Sequence, residues 1–282
     1  MAVLTDPFML SNGHQIPKVG FGTWQIPDGD AAYQAVSNAL SVGYRHIDTA
    51  RNYQNEASVG RAIHDAKVDR KDLFVTSKLP ADIKTYDGVM ASFEETFTAL
   101  DVDYLDLYLI HAPWPWSKIG QSDDEGNIEA WYAMEALYQS GRVKAIGVSN
   151  FNVHDLENLF TKATVKPMVD QIQYYVGFTE PKITTFAKDN DLLVEAYSPL
   201  ATGDLLKNEM AITMAQKYGV SVAQLALRFC IQNEVLPLPK ATSLAHIEAN
   251  TELDFEIQPA DMLTLNQFAD PAPQHFHNET QG

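Results

Sequence analysis

The sequence of 282 residues predicts an α/β fold, a closed (β/α)8 TIM barrel preceded by a short N-terminal β-hairpin. Eight short apolar runs alternate with segments of helical spacing, and this alternation implies a parallel sheet because each crossover needs room for a helix. No linker rich in Gly, Ser or Pro divides the chain. We therefore expect one domain over residues 1–282, and the alternative is a doubly wound sheet with a small second domain.

The hairpin is predicted first along the chain, where Asn12-Gly13 lies between two short apolar runs. Asn-Gly favours the positive φ angles that tight hairpin turns require. The eight apolar runs that follow predict the strands of the barrel. These runs span residues 19–23, 45–48, 73–78, 105–111, 144–149, 168–173, 192–197 and 236–239.

Helices are predicted between the runs. Residues 31–42 and 221–232 carry apolar side chains at spacings of three and four, which places them on one helical face. In the segment 152–160, Asn152 precedes the apolar stripe as an N-cap residue would. Two connections lack periodicity, the loop 111–127 and the tail after Asp270, and both are candidates for substrate-contacting loops.

Composition excludes several classes of protein. The net charge of -17 and the pI of about 4.7 would cause repulsion from phosphate backbones and anionic membranes, so we expect neither nucleic acid nor a membrane as partner. The single cysteine, Cys230, excludes an intrachain disulfide and is expected in the core. Without a secretory leader or a long apolar stretch, we expect a cytoplasmic protein.

Polar residues stand at the carboxyl ends of the predicted strands, which in a barrel of this type converge on one rim. Taken singly, each is typical of a solvated strand terminus. Together they would place one acid, two bases, two amides and phenol groups at one rim. These residues are Asp48, Lys78, His111, Ser149, Asn150, Gln171, Tyr197 and Ser198, with Tyr53 in the loop five positions after Asp48.

A chemical logic connects four of them. A free phenol has a pKa near ~10, and a neighbouring ammonium would lower it. Asp48 can balance the charge of a buried Lys78, so that Asp48, Lys78 and Tyr53 form a relay that tunes a phenolic acid. His111 can hydrogen-bond a substrate carbonyl oxygen. Because no side chain is an evident nucleophile, the pattern indicates hydride transfer from a cofactor.

The sequence gives weaker support for two other kinds of site, a metal site and a glycine-rich dinucleotide site. His46 and Asp48 share strand parity and could ligate a metal, but no second histidine cluster with ligand spacing accompanies them, so we expect no metal. Gly20-Phe21-Gly22 lacks the third glycine of the dinucleotide fingerprint and does not open a helix. A dinucleotide would therefore have to bind in another mode.

With these residues in place, the chain resembles the aldo-keto reductases. Matching motifs occur in order through nearly the whole chain. They are GFGTW at 20–24, GYRHIDTARNYQNE at 43–56, TSKL at 76–79, LIHAPWP at 109–115, GRVKAIGVSNF at 141–151, DQIQY at 170–174, EAYSPL at 195–200 and LPKATSLAHIEAN at 238–250. Among the branches of the family, the chain looks most like the compact bacterial reductases of the 2,5-diketo-D-gluconate reductase type.

The resemblance implies a (β/α)8 barrel that binds NADPH across its carboxyl rim. It implies that Tyr53 donates the proton, that Lys78 and Asp48 tune it, and that His111 orients the carbonyl. Substrate would be contacted by Trp24, Tyr53, His111 and Trp114. The cofactor positions it implies are Thr23, Trp24, Asp48, Ser149, Asn150, Gln171, Tyr197, Ser198, Leu200, Lys240, Ala241, Thr242, His246 and Asn250.

Within that set the resemblance gives separate roles. Ser149, Asn150 and Gln171 would hold the carboxamide, and Tyr197 would stack on the nicotinamide. Lys240 would pair with the 2′-phosphate of the adenosine.

The sequence departs from the family pattern at two pairs of positions. Pro80 and Ala112 stand where many relatives carry tryptophan, so the pocket is less aromatic there unless Trp114 or Trp116 folds inward. Ala241 and His246 replace a frequent serine and arginine. Because histidine lacks the bidentate fork of arginine, we predict NADPH preference through Lys240 with unusual tolerance for NADH.

Other functions stay open at this point. The same barrel occurs in non-enzymatic channel subunits and lens crystallins, and a cofactor-free isomerase is a further alternative. Compatible carbonyl substrates include diketo sugar acids, keto acids and their esters, methylglyoxal and other α-dicarbonyls. We expect a monomer, which is common in the family.

Overall fold

Strands and helices alternate along the computed structural model, which describes residues 2–274. Its strands are β1 (Pro7–Met9), β2 (Gln15–Pro17), β3 (Phe21–Gly22), β4 (His46–Asp48), β5 (Phe74–Leu79), β6 (Leu105–Ile110), β7 (Val143–Ser149), β8 (Val169–Gln173), β9 (Leu193–Tyr197) and β10 (Leu236–Pro237). Its α-helices are α1 (Ala2–Thr5), α2 (Asp30–Val42), α3 (Glu56–Asp65), α4 (Tyr86–Leu100), α5 (Asp124–Gln139), α6 (Val153–Phe160), α7 (Pro181–Asp189), α8 (Glu209–Tyr218), α9 (Val222–Gln232), α10 (Leu244–Ala249) and α11 (Pro259–Asn266).

The strands β3 to β10 form one parallel sheet in which each strand pairs with its neighbour in chain order. Two backbone bonds then join the first strand to the last. The N–H of Gly20 donates to Pro237 O at 3.1 Å, and the N–H of Gly22 donates to Pro239 O at 3.0 Å. These bonds close the sheet, and the predicted barrel is confirmed.

The predicted hairpin is also confirmed, with β1 antiparallel to β2. Gly13 has a φ of 84°, a left-handed conformation that glycine adopts without steric cost. Asn12 Nδ2 donates to Lys144 O at 2.9 Å, and Lys144 lies at the start of β7. The hairpin therefore covers the amino end of the barrel and leaves the carboxyl rim open.

Helix α6 starts at the predicted cap residue. Asn152 Oδ1 accepts the N–H of Asp155, and the Asp155 carboxylate accepts the N–H of Asn152, both at 3.0 Å. This capping box satisfies two backbone donors at the start of α6. Ser221 and Gln224 form the same arrangement at the start of α9, on which Cys230 is fully buried as expected.

The apolar faces of strands and helices pack into one large cluster around the barrel. In residues 2–274 no helix is long and apolar enough to cross a membrane. The last part of the predicted tail loop, residues 275–282, lies outside the described residues.

Candidate active site

Lys78 occupies the centre of the rim, at the end of β5, and is fully buried. Its Nζ donates to Asp48 Oδ1 at 2.7 Å, to Asp48 Oδ2 at 2.8 Å and to Thr49 O at 2.9 Å. The same Nζ lies 3.3 Å from the Tyr53 hydroxyl oxygen. The structure thus brings together the three residues of the predicted relay, from two adjacent strands and the segment after β4.

Tyr53 ends a short 3-10 helix, Arg51–Tyr53, rather than lying in an irregular loop. The side chain of Asn55 holds this turn in place through three hydrogen bonds. Its Nδ2 donates to Thr23 O and Ile26 O, both at 3.0 Å, and its Oδ1 accepts from Thr49 at 2.9 Å. The segment that carries Tyr53 is therefore tied to the loop after β3.

His111 completes the group from the end of β6. Its ring lies edge-on to that of Tyr53, with centroids 5.7 Å apart. His111 Nδ1 is buried and has no hydrogen-bond partner among residues 2–274. A proton on Nδ1 would be a buried donor without an acceptor, so this environment favours the tautomer with the proton on Nε2.

Electrostatics assign protonation states to the group. Burial lowers the pKa of His111 well below its ordinary value, and the Lys78 charge lowers it further, so the imidazole is neutral at pH 7. Although burial alone would lower the pKa of Lys78, the Asp48 carboxylate and the Tyr53 phenol raise it, so the ammonium keeps its charge.

The pKa of Tyr53 is raised, whereas the sequence predicted that the Lys78 ammonium would lower it. Burial raises it, the Lys78 ammonium lowers it, and the net direction is upward. Lys78 therefore offsets the effect of burial on the Tyr53 pKa without reversing it. The phenol is protonated at neutral pH and holds the proton that a general acid must donate.

Amides and hydroxyls occupy the next part of the rim. Asn150 Nδ2 donates to His111 O at 2.9 Å and to Ser149 Oγ at 3.0 Å, while Asn150 Oδ1 accepts from the Tyr197 hydroxyl at 2.8 Å. Ser149 Oγ donates to Gln171 O at 2.8 Å. The structure brings these four predicted residues together with His111 in one network.

The remaining predicted cofactor residues follow around the rim. Thr23 is buried, and its Oγ1 donates to Asp48 O at 3.0 Å. Ser198 and Leu200 are half-buried in the segment after β9, where Ser198, Ala201 and Thr202 each have a φ of 50°. Such strained backbone is typical of ligand-binding segments. After β10, Lys240, Thr242 and His246 are exposed, Ala241 is half-buried and Asn250 is buried.

Two tryptophans of the loop 111–127 take different positions. Trp114 is buried against Ala81 and Ala112. Trp116 is 40% exposed, and its ring lies edge-on to the rings of Trp114 and His111, with centroid distances of 5.1 and 5.4 Å. Trp116, which the residue-level prediction omitted, therefore forms the aromatic wall next to His111. Substrate contact by Trp114 stays a prediction.

His46, which the sequence offered as a possible metal ligand, lies in the protein interior. His46 is fully buried, its Nε2 lies 3.0 Å from Thr76 Oγ1, and burial followed by the Lys78 charge lowers its pKa to about 3. Among the described residues there is no cluster of three His, Cys, Asp or Glu side chains that could hold a metal ion.

Three further residues support the site and were not predicted. Asn55 lies in the segment GYRHIDTARNYQNE, two positions after Tyr53. Lys84 Nζ donates to Ala112 O, the residue after His111, at 2.9 Å. Glu195 contacts Gln171 inside the barrel. Its parity with Tyr197 on one strand was the available signal, because alternate residues of a strand share a face.

Comparison with known proteins shows similarity over most of the chain. The Aldo/keto reductase family model matches residues 18–270. An uncharacterized oxidoreductase of Bacillus subtilis (strain 168), YtbE, is 40% identical over 278 residues, which cover 95% of this chain and 96% of that protein. A glyoxal reductase of the same organism is 40% identical over 260 residues, covering 92% and 91%.

Solved structures give the same result. The crystal structure of an aldo/keto reductase from Brucella melitensis has a TM-score of 0.87 and 38% identity, and the match covers 93% of this chain and 99% of that one. An aldo-keto reductase crystallised in complex with NADPH has a TM-score of 0.88 and 30% identity, with coverage of 98% and 90%. The similarity therefore extends through the barrel and its rim.

Proposed function

The chain belongs to the aldo/keto reductase family, and we propose that it reduces the carbonyl of small aldehydes and ketones with Tyr53 as proton donor. It is an NADP-dependent oxidoreductase that converts carbonyls to alcohols. One observation supports Tyr53 as the proton donor. Lys78 Nζ donates hydrogen bonds to both carboxylate oxygens of Asp48 and lies 3.3 Å from the Tyr53 hydroxyl oxygen.

The residues at the rim fit a nicotinamide dinucleotide phosphate. The amide of Gln171 uses its nitrogen for two carboxyl groups, while its Oε1 has no partner among residues 2–274 and can accept from a carboxamide. Of the residues described, none forms an ion pair with the exposed Lys240, whose ammonium suits a phosphate. We propose that Ser149, Asn150 and Gln171 hold the carboxamide and that Tyr197 stacks on the nicotinamide ring.

NADPH held by these residues would supply the hydride for the carbonyl carbon. The side chains of this protein orient the carbonyl group and supply the proton. The neutral His111 donates a hydrogen bond to the carbonyl oxygen and orients it, and Tyr53 transfers its proton to that oxygen. Lys78 stabilises the phenolate that forms, and Asp48 keeps the Lys78 charge in place.

Replacing the phenol tests this assignment. In Tyr53→Phe we expect kcat for glyoxal reduction to fall by about 10²–10⁴-fold, because no general acid is left at the oxygen. The Kd for NADPH, measured by fluorescence titration, should stay unchanged. Tyr132→Phe, on the exposed face of α5, is the matched control. A kcat near the wild-type value in Tyr53→Phe would show that another group is the acid.

We propose α-dicarbonyls as the first substrates to examine. The glyoxal reductase that is 40% identical to this chain supports that choice, while keto sugars and keto acids complete the substrate panel. The 2,5-diketo-D-gluconate reductase type stays a prediction.

Cofactor selectivity follows from the loop after β10. We propose that Lys240 makes NADPH the preferred cofactor and that His246 binds a phosphate less firmly than an arginine fork would. The expected ratio of kcat/KM between NADPH and NADH is therefore below about a thousandfold, or about 4 kcal/mol. A larger ratio would contradict the tolerance for NADH.

We also propose that the protein acts in the cytoplasm as a monomer with one barrel domain. The net charge of -17 supports the absence of nucleic-acid and membrane partners. Cys230 is a free and fully buried thiol, which is consistent with a cytoplasmic protein.

A further inference from the structure

Glu195 is a carboxyl group inside the barrel. It lies on β9 with no exposed surface, directly beside Gln171 on β8 in the strand register. Its Oε2 accepts from Gln171 Nε2 at 2.8 Å, and its Oε1 has no hydrogen-bond partner in the described part of the chain. Burying a carboxyl group without an ion pair lowers stability, so packing alone gives no reason for an acid at this position.

The contact has a direct effect on the amide of Gln171. One amide hydrogen points to Asp48 Oδ2 at 2.9 Å, and the other points to Glu195. A flipped amide would place its oxygen against the Asp48 carboxylate, which only accepts, and would lose that hydrogen bond. The two acids therefore fix the nitrogen inward and leave Oε1 as the acceptor.

Charge is consistent with this arrangement. The charged groups that act on Glu195 inside the barrel are Asp48 on β4 and Lys78 on β5. Burial, and then the charge of Asp48, raise the pKa of Glu195 to about 8, so the acid is mostly neutral at pH 7. A neutral carboxyl group accepts through its carbonyl oxygen without adding a second negative charge beside Asp48.

We propose that Glu195 is a positioning residue, which holds the Gln171 amide so that its oxygen receives the nicotinamide carboxamide. This inference rests on the proposed function, because it requires NADPH at the rim. Glu195 does not touch the cofactor itself in this role. It determines which atom of Gln171 does, and Asp48 supplies the second anchor.

Binding measurements with two ligands test the inference. Glu195→Met keeps an unbranched shape and removes both oxygens, whereas Glu195→Gln keeps an acceptor. We expect Glu195→Met to raise the Kd for NADPH about tenfold and Glu195→Gln to stay within about threefold of wild type. The Kd for adenosine 2′,5′-bisphosphate, which lacks nicotinamide, should be unchanged in both variants.

Asp170→Asn is the matched control. Asp170 is equally buried and adjacent to Gln171 in the chain, and as the neighbouring residue of β8 it lies on the opposite face of that strand. Its replacement should leave the Kd for both ligands at the wild-type value. An unchanged Kd for NADPH in Glu195→Met would overturn the positioning role. So would an equal loss of adenosine 2′,5′-bisphosphate binding, since that indicates a general defect.

A measurement on the wild type does not depend on the folding of any variant. The side-chain NH₂ of Gln171, identified in a ¹⁵N correlation spectrum by its loss in Gln171→Leu, should be protected from solvent exchange before NADPH is added. Free exchange of both hydrogens would contradict the inference. A wild type that binds no NADPH would instead refute the proposed function, and that result is distinguishable from a change confined to Glu195→Met.

Discussion

Lys78 shows at the scale of one residue how the site keeps a charge in the protein interior. An ammonium without a partner would lose its proton on burial, but three oxygens of Asp48 and Thr49 surround Nζ within 2.9 Å. The charge is thereby held next to the Tyr53 hydroxyl, where it is needed when the phenolate forms. Tyr53 itself stays protonated because burial outweighs Lys78 in setting its pKa.

Trp116 leads to a prediction about substrate size. Its ring is 5.4 Å from that of His111 and 40% exposed, so a bulky substrate at His111 would cover it. In Trp116→Ala we expect the KM for an aromatic aldehyde to rise about tenfold, since an aromatic contact contributes about 0.5–1.5 kcal/mol beyond the area that it buries. The KM for glyoxal should change less than about twofold, because so small a substrate covers little of the ring.

Steady-state kinetics on the two aldehydes would check this. Tyr132→Ala is the control, because Tyr132 is exposed to a similar extent on α5. Equal KM changes for both aldehydes would argue against an aromatic wall at Trp116.

Residue roles differ in how far the sequence could predict them. Asp48, Lys78 and His111 each end an apolar run, so strand ends alone placed them at one rim. Trp114 and Trp116 are two positions apart in an aperiodic loop, and no spacing rule assigns one of them to the interior. Trp114 is the buried one because it packs against Ala112, and this contact depends on the tertiary structure.

Elements were more predictable than loops. Buried parallel strands read as continuous apolar runs, and each of the eight predicted runs of the barrel overlaps an observed strand. The run 236–239 ends early as the strand Leu236–Pro237. Pro237 and Pro239 lack the N–H that a regular ladder requires, although their carbonyls accept from Gly20 and Gly22.

The loop 111–127 is anchored at both ends by one side chain. Lys84 is buried, and its Nζ donates to Ala112 O at 2.9 Å and to Asn127 Oδ1 at 2.6 Å. Asn127 Nδ2 in turn donates to Pro113 O at 2.9 Å. Lys84 therefore joins the two ends of the loop that carries Trp116.

Replacing that anchor should loosen the element. In Lys84→Met, two buried acceptors lose their donor at a cost of about 1–3 kcal/mol each, and we expect faster amide exchange in residues 112–127. Hydrogen–deuterium exchange with mass spectrometry measures this directly. Lys118→Met, an exposed lysine of the same loop, is the control. Wild-type exchange rates in Lys84→Met would mean that the loop is held by its packing alone.

The whole molecule combines a closed barrel with buried acids and an acidic surface. In the closed barrel Glu195 has no exposed surface, and this burial, followed by the charge of Asp48, raises the pKa of Glu195 from an ordinary 4.5 to about 8. The folded state thus binds a proton on Glu195 that the unfolded state releases above pH 4.5. The stabilisation from this proton is complete below pH 4.5 and is lost as the pH rises through about 8.

Glu195→Gln cannot titrate, so its stability should rise relative to wild type as the pH increases from 5 to 9. The expected gain is on the order of a few kcal/mol, and repulsion from the net charge of -17 is nearly the same in both proteins. Urea denaturation at pH 5, 7 and 9 measures the difference in the free energy of unfolding. Glu157→Gln, on the exposed side of α6, should show no such trend. A pH-independent difference for Glu195→Gln would mean that Glu195 is ionised in the folded barrel, with its charge balanced by Lys78.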